Sequence, residues 1–226
     1  MLVACWSPKG GSGTTVVTCG LAVLAARSSP TLLVDLAGEV PAVLGLPEPD
    51  GPGSVAWLLA DDDVPVGRLP SLEVPAGSGL TVLPRGAGTA GDPSSAGVAR
   101  PGPTADRLLQ FTDALRTDDR RVIADCGLLG SEEAVALAAA APVGLLVLRP
   151  CYLALRRALL LPVRPTGVVL VRERERALAR TDVEEVLGVP VQAQIDVDPA
   201  VARAVDAGLL GRRLPRTLER CLRGAA

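Results

Sequence analysis

Residues 2–24 read LVACWSPKGGSGTTVVTCGLAVL, and the order of pieces in this stretch decides the fold. Residues 2–6 are a short apolar run of the kind that forms a buried strand, and residues 16–26 are apolar for long enough to make a helix. Between them lies the glycine-rich loop Lys9-Gly10-Gly11-Ser12-Gly13-Thr14-Thr15. Strand, glycine loop and helix in that order turn a helix N-terminus into an anion cradle. The three glycines let the backbone bend so that bare N–H groups converge, and the helix dipole adds a favourable potential there. Glycine loops also serve as plain turns; the placement between a strand and a helix sets this one apart.

Of 23 Lys and Arg residues, Lys9 is the only lysine. A generic surface cation in this chain is written as arginine. Keeping a compact, rotatable ammonium at this one place indicates a loop that does not accept a planar guanidinium fork.

Composition bounds the rest. A chain of 226 residues that is 48% hydrophobic but only 2% aromatic has an aliphatic core, as when helices cover a parallel sheet. The net charge of −2 excludes a globally basic nucleic-acid binder, though not a local patch. Without histidine, Ser-His-Asp catalysis and histidine zinc sites are excluded. The five cysteines are odd in number and lack metal-like spacing, which reads as reduced, buried thiols in a cytoplasmic protein. Leu2-Val3-Ala4-Cys5 imitates a lipoprotein cleavage box, but no basic or apolar leader precedes it. The longest uncharged stretch, 134–148, is too short to span a bilayer.

Further strands are expected at 31–34, 80–83, 121–125, 143–148, 166–171 and 189–195, alternating with helices at 54–60, 105–115, 132–141, 152–161, 182–187 and 201–207. The second strand runs into Asp35 and the fourth into Asp125, so both carboxylates are delivered to the carboxyl edge of the sheet, where open α/β sheets place ligands. Asp61-Asp62-Asp63 reads as a solvated turn. Residues 85–103 are rich in Gly, Pro, Ser and Ala and read as a flexible insertion. In the tail, 212–226, five arginines face a single glutamate, and Leu214, Leu218 and Leu222 make a narrow apolar stripe.

In its residues and its setting, the loop 9–15 resembles the deviant P-loop of the MinD/ParA family of dimeric ATPases. The resemblance implies a three-layer α/β P-loop NTPase fold over a single domain, 1–226, with a mostly parallel central sheet and helices on both faces. It implies ATP or ADP held by Lys9, Gly10, Gly11, Ser12, Gly13, Thr14 and Thr15, with Mg²⁺ held by Thr15 and the Walker B carboxylate Asp125. It gives Lys9 a charge-stabilising role in a partner subunit's site, and it places Asp35 near metal and phosphates; a plain strand-end cap is the alternative for Asp35. It also implies a homodimer, a protein partner, and a basic C-terminal helix at 212–226 that meets anionic membrane or packs on its own domain.

Three positions depart from that pattern. Thr14 stands where the usual P-loop lysine does, Ala37 where a water-orienting aspartate does, and Val171 where an adenine-reading asparagine does; the proline after the last strand is also missing. Charge-assisted bonds are roughly twice as strong as neutral ones, so Thr14 weakens phosphate affinity and transition-state stabilisation. Three readings stand open. The first is a positioning or scaffold protein, akin to the CpaE/TadZ pilus-localisation branch, with hydrolysis weak or lost. The second is a working ATPase using Lys9. The third is a DNA-associated partition protein using Arg156-Arg157 or Arg172, Arg174 and Arg176, whose interleaved Glu173 and Glu175 argue for a solvated face.

Overall fold

The computed structural model describes residues 1–61, 64–87, 102–173 and 177–224. Asp62 and Asp63 of the acidic run, most of the expected insertion, and Arg174, Glu175 and Arg176 lie outside the described residues. Eight strands form one sheet: β1 (Leu2–Ser7), β2 (Thr31–Asp35), β3 (Val74–Gly77), β4 (Leu80–Leu83), β5 (Arg121–Leu128), β6 (Val143–Leu148), β7 (Gly167–Arg172) and β8 (Val191–Asp196). Their order is β3-β4-β2-β5-β1-β6-β7-β8. Every pairing is parallel except the β3–β4 hairpin at one edge.

Strands covered on both faces show continuous burial, and β1 is buried at all six positions. Successive side chains leave the sheet on opposite sides, so β1 feeds two cores. Leu2, Ala4 and Trp6 join the one covered by α3 (Ser54–Leu58), α4 (Ala105–Thr117), α5 (Glu132–Ala140), α6 (Tyr152–Leu159) and α7 (Arg180–Leu187). Val3 and Cys5 join the other, covered by α1 (Thr14–Ala25), α2 (Val40–Leu44), α8 (Pro199–Asp206) and α9 (Arg216–Leu222). These are the expected three layers. Cys5 lies fully buried in a central strand, where a lipid anchor has no room. Cys19 and Cys126 are buried as well, and the burial of Cys5 pushes its thiol up to about 12.

Three elements were not expected: β3, α2 and the 3-10 helix at Val66–Leu72. Each is short and interrupted by proline (Pro75, Pro41 and Pro70), which hides the periodicity that marks longer elements. No helix among the described residues is long and apolar enough to cross a membrane.

Two glycines join the α2 end to the α8 end. Gly45 has φ 71°, and a Cβ there would lie 1.8 Å from the Gly208 carbonyl oxygen. Gly45→Ala therefore meets both a left-handed backbone and a rigid clash, and is expected to cost about 2 kcal/mol or more in chemical denaturation. A melt within error of wild type would contradict this close approach.

Candidate nucleotide site

The loop after β1 is held from within. The Ser7 hydroxyl donates to the carbonyl oxygens of Lys9 (3.1 Å) and Gly127 (3.3 Å), tying the loop to the end of β5. Ser12 is buried, and its hydroxyl donates to the Lys9 carbonyl at 2.9 Å. This narrows the expectation for Ser12, whose side chain is engaged inside the loop and leaves only its backbone for a ligand. Gly11 and Gly13 take φ of 74° and 86°, conformations that glycine adopts without strain. A Cβ at Gly10, Gly11 or Gly13 would meet nothing within 4 Å, so the loop borders open space. Gly13 caps α1 without a side-chain hydrogen bond and no acid lies in the first turn, which leaves the positive end of the helix dipole uncovered. Lys9 is half-buried and forms no ion pair with the described residues.

Sheet register brings the two carboxylates together. Asp35 pairs with Asp125, and Asp125 with Cys5, across β2, β5 and β1. Both acids are fully buried, and strand alternation puts both on the side of α1. Their surroundings differ. Asp35 accepts from the backbone N–H groups of Ala37 (3.0 Å), Gly38 (2.6 Å) and Val40 (3.2 Å). Burial raises its pKa to about 6, against the pull of those donors and the Arg85 charge. Asp35 therefore caps its own loop, with both oxygens engaged there, and does so next to Asp125.

Asp125 Oδ1 accepts from Gly127 N–H at 3.1 Å, while Oδ2 is buried and has no partner of hydrogen-bond geometry among the described residues, although the Thr15 hydroxyl lies close to the carboxylate. Burial raises its pKa to about 7; the Thr15 hydroxyl opposes this, and the charges of Asp35 and Glu39 add to it. A buried, unpartnered carboxylate oxygen beside a threonine hydroxyl is a donor set that fits a hard divalent cation. Thr14 is buried and carries no charge. Ala37 packs against Gly127, where a Cβ would come within 2.9 Å of the Ala37 methyl; it offers no group to hold water.

Next to Gly13 lies a cleft of about 270 Å³ whose walls include Val16, Val171, Ile195 and Val197. Two of its three acids are engaged: Asp196 pairs with Arg172 at 2.9 Å, and Asp198 accepts from Ala200 N–H and the Thr217 hydroxyl, while Asp206 forms no ion pair with the described residues. Val171 packs in the core, as its side chain dictates. Two cations escaped the sequence reading. Arg149, bonded to Glu173, lines this cleft. Arg85 reaches across Gly38 and donates to the Leu36 carbonyl, clamping the β2–α2 loop. The only sequence signal for Arg85 was its place directly beyond the end of β4.

A family model for the nucleotide-binding domain of CobQ, CobB, MinD and ParA (CbiA) matches residues 3–210. The chain belongs to this family. No match was found among curated proteins. Among solved structures, the CobQ/CobB/MinD/ParA domain described here is similar to the septum site-determining protein MinD complexed with Mg-ADP from Pyrococcus horikoshii OT3. The identity is 17% with a TM-score of 0.71, covering 98% of this chain and 93% of that one. It is also similar to the ATP complex of a variant of McdA from Cyanothece (18%, TM-score 0.71, 99% and 94% covered). A ParA family ATPase from Chlorobium tepidum TLS gives 17%, TM-score 0.68, and 97% and 96% covered. At these identities the likeness establishes the fold.

Proposed function

We propose that this MinD/ParA-type domain binds a nucleoside di- or triphosphate with Mg²⁺ and acts in spatial positioning or scaffolding, with hydrolysis weak or lost. The observation that carries this reading is Asp125 Oδ2, buried and without a hydrogen-bond partner among the described residues, beside Thr15 and an uncapped helix N-terminus. Backbone N–H groups of residues 10–15 would hold the phosphates, while Thr15 and Asp125 would hold the cation, Asp125 through water. A bound Mg²⁺ would neutralise phosphate charge there. Weak hydrolysis follows from Thr14, which lacks charge, from Ala37, which cannot orient water, and from Asp35, whose oxygens its own loop engages. The homodimer, the protein partner and a place in the CpaE/TadZ branch belong to the same proposal.

A second reading, a working ATPase, is favoured by one observation: the Lys9 ammonium has no ion-pair partner among the described residues. The DNA reading loses Arg172, which is paired with Asp196, and keeps Arg156 and Arg157, which are exposed and form no ion pair with the described residues. The membrane reading weakens because the leucines of the tail are buried. Calorimetric titration with ATP, ADP and GTP, with and without Mg²⁺, tests the proposal. Magnesium-dependent binding that drops about tenfold or more in Lys9→Ala is expected, as removal of a charged phosphate contact costs. Absence of any nucleotide binding would refute it, and turnover that vanishes in Lys9→Ala would select the ATPase reading.

A further inference from the structure

The C-terminal segment turns its leucines inward and its arginines outward. Leu210, Leu214, Leu218 and Leu222 are buried, whereas Arg203, Arg212, Arg213, Arg216 and Arg220 reach solvent. None of these five forms an ion pair with the described residues. Of the nearby acids, Glu219, which lines both depressions of this face, is bonded to Arg27 and Arg223, and Asp198 to Thr217, while Asp206 at the end of α8 is exposed and forms no ion pair with the described residues. A chain of net charge −2 thus carries one face on which arginines outnumber acids.

That face is concave. A groove of about 660 Å³ runs between α8 and the chain leading into α9. Ala204, Leu209 and Pro215 contribute apolar walls, and Arg203, Arg213 and Arg216 line it beside them. Leu209 stands 42% exposed in this setting. A second depression of about 470 Å³ shares Arg216 with the first and extends the basic lining to Arg220 and Arg223.

We propose that this groove docks an acidic peptide segment of a partner protein. Its carboxylates would pair with the arginine forks, and an aliphatic side chain would cover Leu209. Three features select this occupant. Guanidinium forks match carboxylates in bidentate fashion, and they lose less freedom on pairing than flexible ammonium groups. No aromatic side chain lines either depression, so single-stranded bases have no stacking platform, and a duplex offers phosphates but no aliphatic group to cover Leu209. The leucines that an amphipathic membrane helix would insert are inside the protein. The inference rests on the C-terminal face alone and is independent of the nucleotide site.

Fluorescence anisotropy on the full chain tests it, with a labelled peptide of repeated Glu-Glu-Leu as probe. Saturable binding is expected, weaker by about tenfold or more in the triple variant Arg203→Glu, Arg213→Glu, Arg216→Glu, since each reversal places like charges together. A polyglutamate of equal charge should bind less well than the leucine-containing probe, and Leu209→Ser should remove that difference. Thermal melts of the variants should overlay wild type; if the triple variant fails to fold, single Arg213→Glu carries the comparison. The proposal is overturned by an absence of saturable binding, by binding indifferent to the reversals, or by duplex DNA or phosphatidylglycerol vesicles displacing the probe at lower charge concentration than polyglutamate does.

Discussion

Asparagine at position 125 is expected to raise the melting temperature of the free protein at about pH 8 and to abolish any further rise with Mg²⁺ and nucleotide. The Asp125 pKa stands at about 7 in the folded chain against an ordinary 3.8. The native state therefore holds a proton that the unfolded chain releases. Stability falls as pH rises from about 4 and levels off above about 7, where the carboxylate is ionised, buried and half-unpartnered. The gap corresponds to a penalty on the order of 2–4 kcal/mol, which the neutral amide avoids. Only below about pH 4 is the wild-type group protonated in both the folded and the unfolded chain, so the two proteins should melt alike there and diverge as pH rises. Asp35, with its pKa at about 6, adds a smaller slope of the same sign in both.

The ligand arm of this prediction runs the other way. A divalent cation beside Asp125 compensates the buried charge, so the loaded wild type should regain what ionisation removed. At a hundredfold excess over Kd, ligand alone is worth about 2.7 kcal/mol. Differential scanning fluorimetry over a pH series, with and without Mg²⁺ and ATP, reads both arms. If the variant melts lower than wild type at high pH, the carboxylate is a structural keystone and not a site held ready for a cation. If ligand stabilises the variant as much as wild type, Asp125 is not where the cation sits.

Both Asp125 and Asp35 could be picked out from sequence, but how each is engaged could not, and the difference is a matter of range. Residues 2–6, 121–125 and 143–148 are apolar runs that end at definite polar positions, and a parallel sheet aligns such ends along one edge. The observed register puts Asp35, Asp125 and Cys5 in one row, so the gathering of the site was written in the strand lengths. What becomes of each carboxylate afterwards depends on the next few residues. The turn after Asp35 folds back so that three N–H groups reach it, whereas after Asp125 only Gly127 does. Arg85 joins the site through the β2–β4 pairing and the bare Gly38, neither of which is a local signal. The proline-broken pieces, β3 and α2, lacked enough residues to show a period.

The tail was legible as a stripe of leucines but not in its destination, because the receiving surface lies almost 200 residues away along the chain. Gly20 on α1 provides it: a Cβ there would come within 2.8 Å of Leu222 Cδ1 and 3.3 Å of Leu218 Cδ2. The absence of a side chain at Gly20 lets α9 lie directly on α1, where Leu218 and Leu222 are almost wholly excluded from solvent. The double variant Leu218→Ala, Leu222→Ala is therefore expected to destabilise the protein severely. Each buried Leu→Ala change costs about 2–5 kcal/mol, against a total stability on the order of 5–15 kcal/mol. Even the lower bound for the pair, about 4 kcal/mol, lowers Tm by roughly 8–16 °C at this chain size. Undocking would also strip cover from the half-buried Cys221 and the buried Cys19, so thiol labelling in native buffer should accelerate as the melt falls. If instead the tail serves as a membrane anchor, the leucines are dispensable in solution: the double variant would melt and label like wild type while losing affinity for anionic vesicles. The melt and the labelling rate move in the first case and stay put in the second, because a leucine that already seals α1 is not free to enter a bilayer without opening the core it closes.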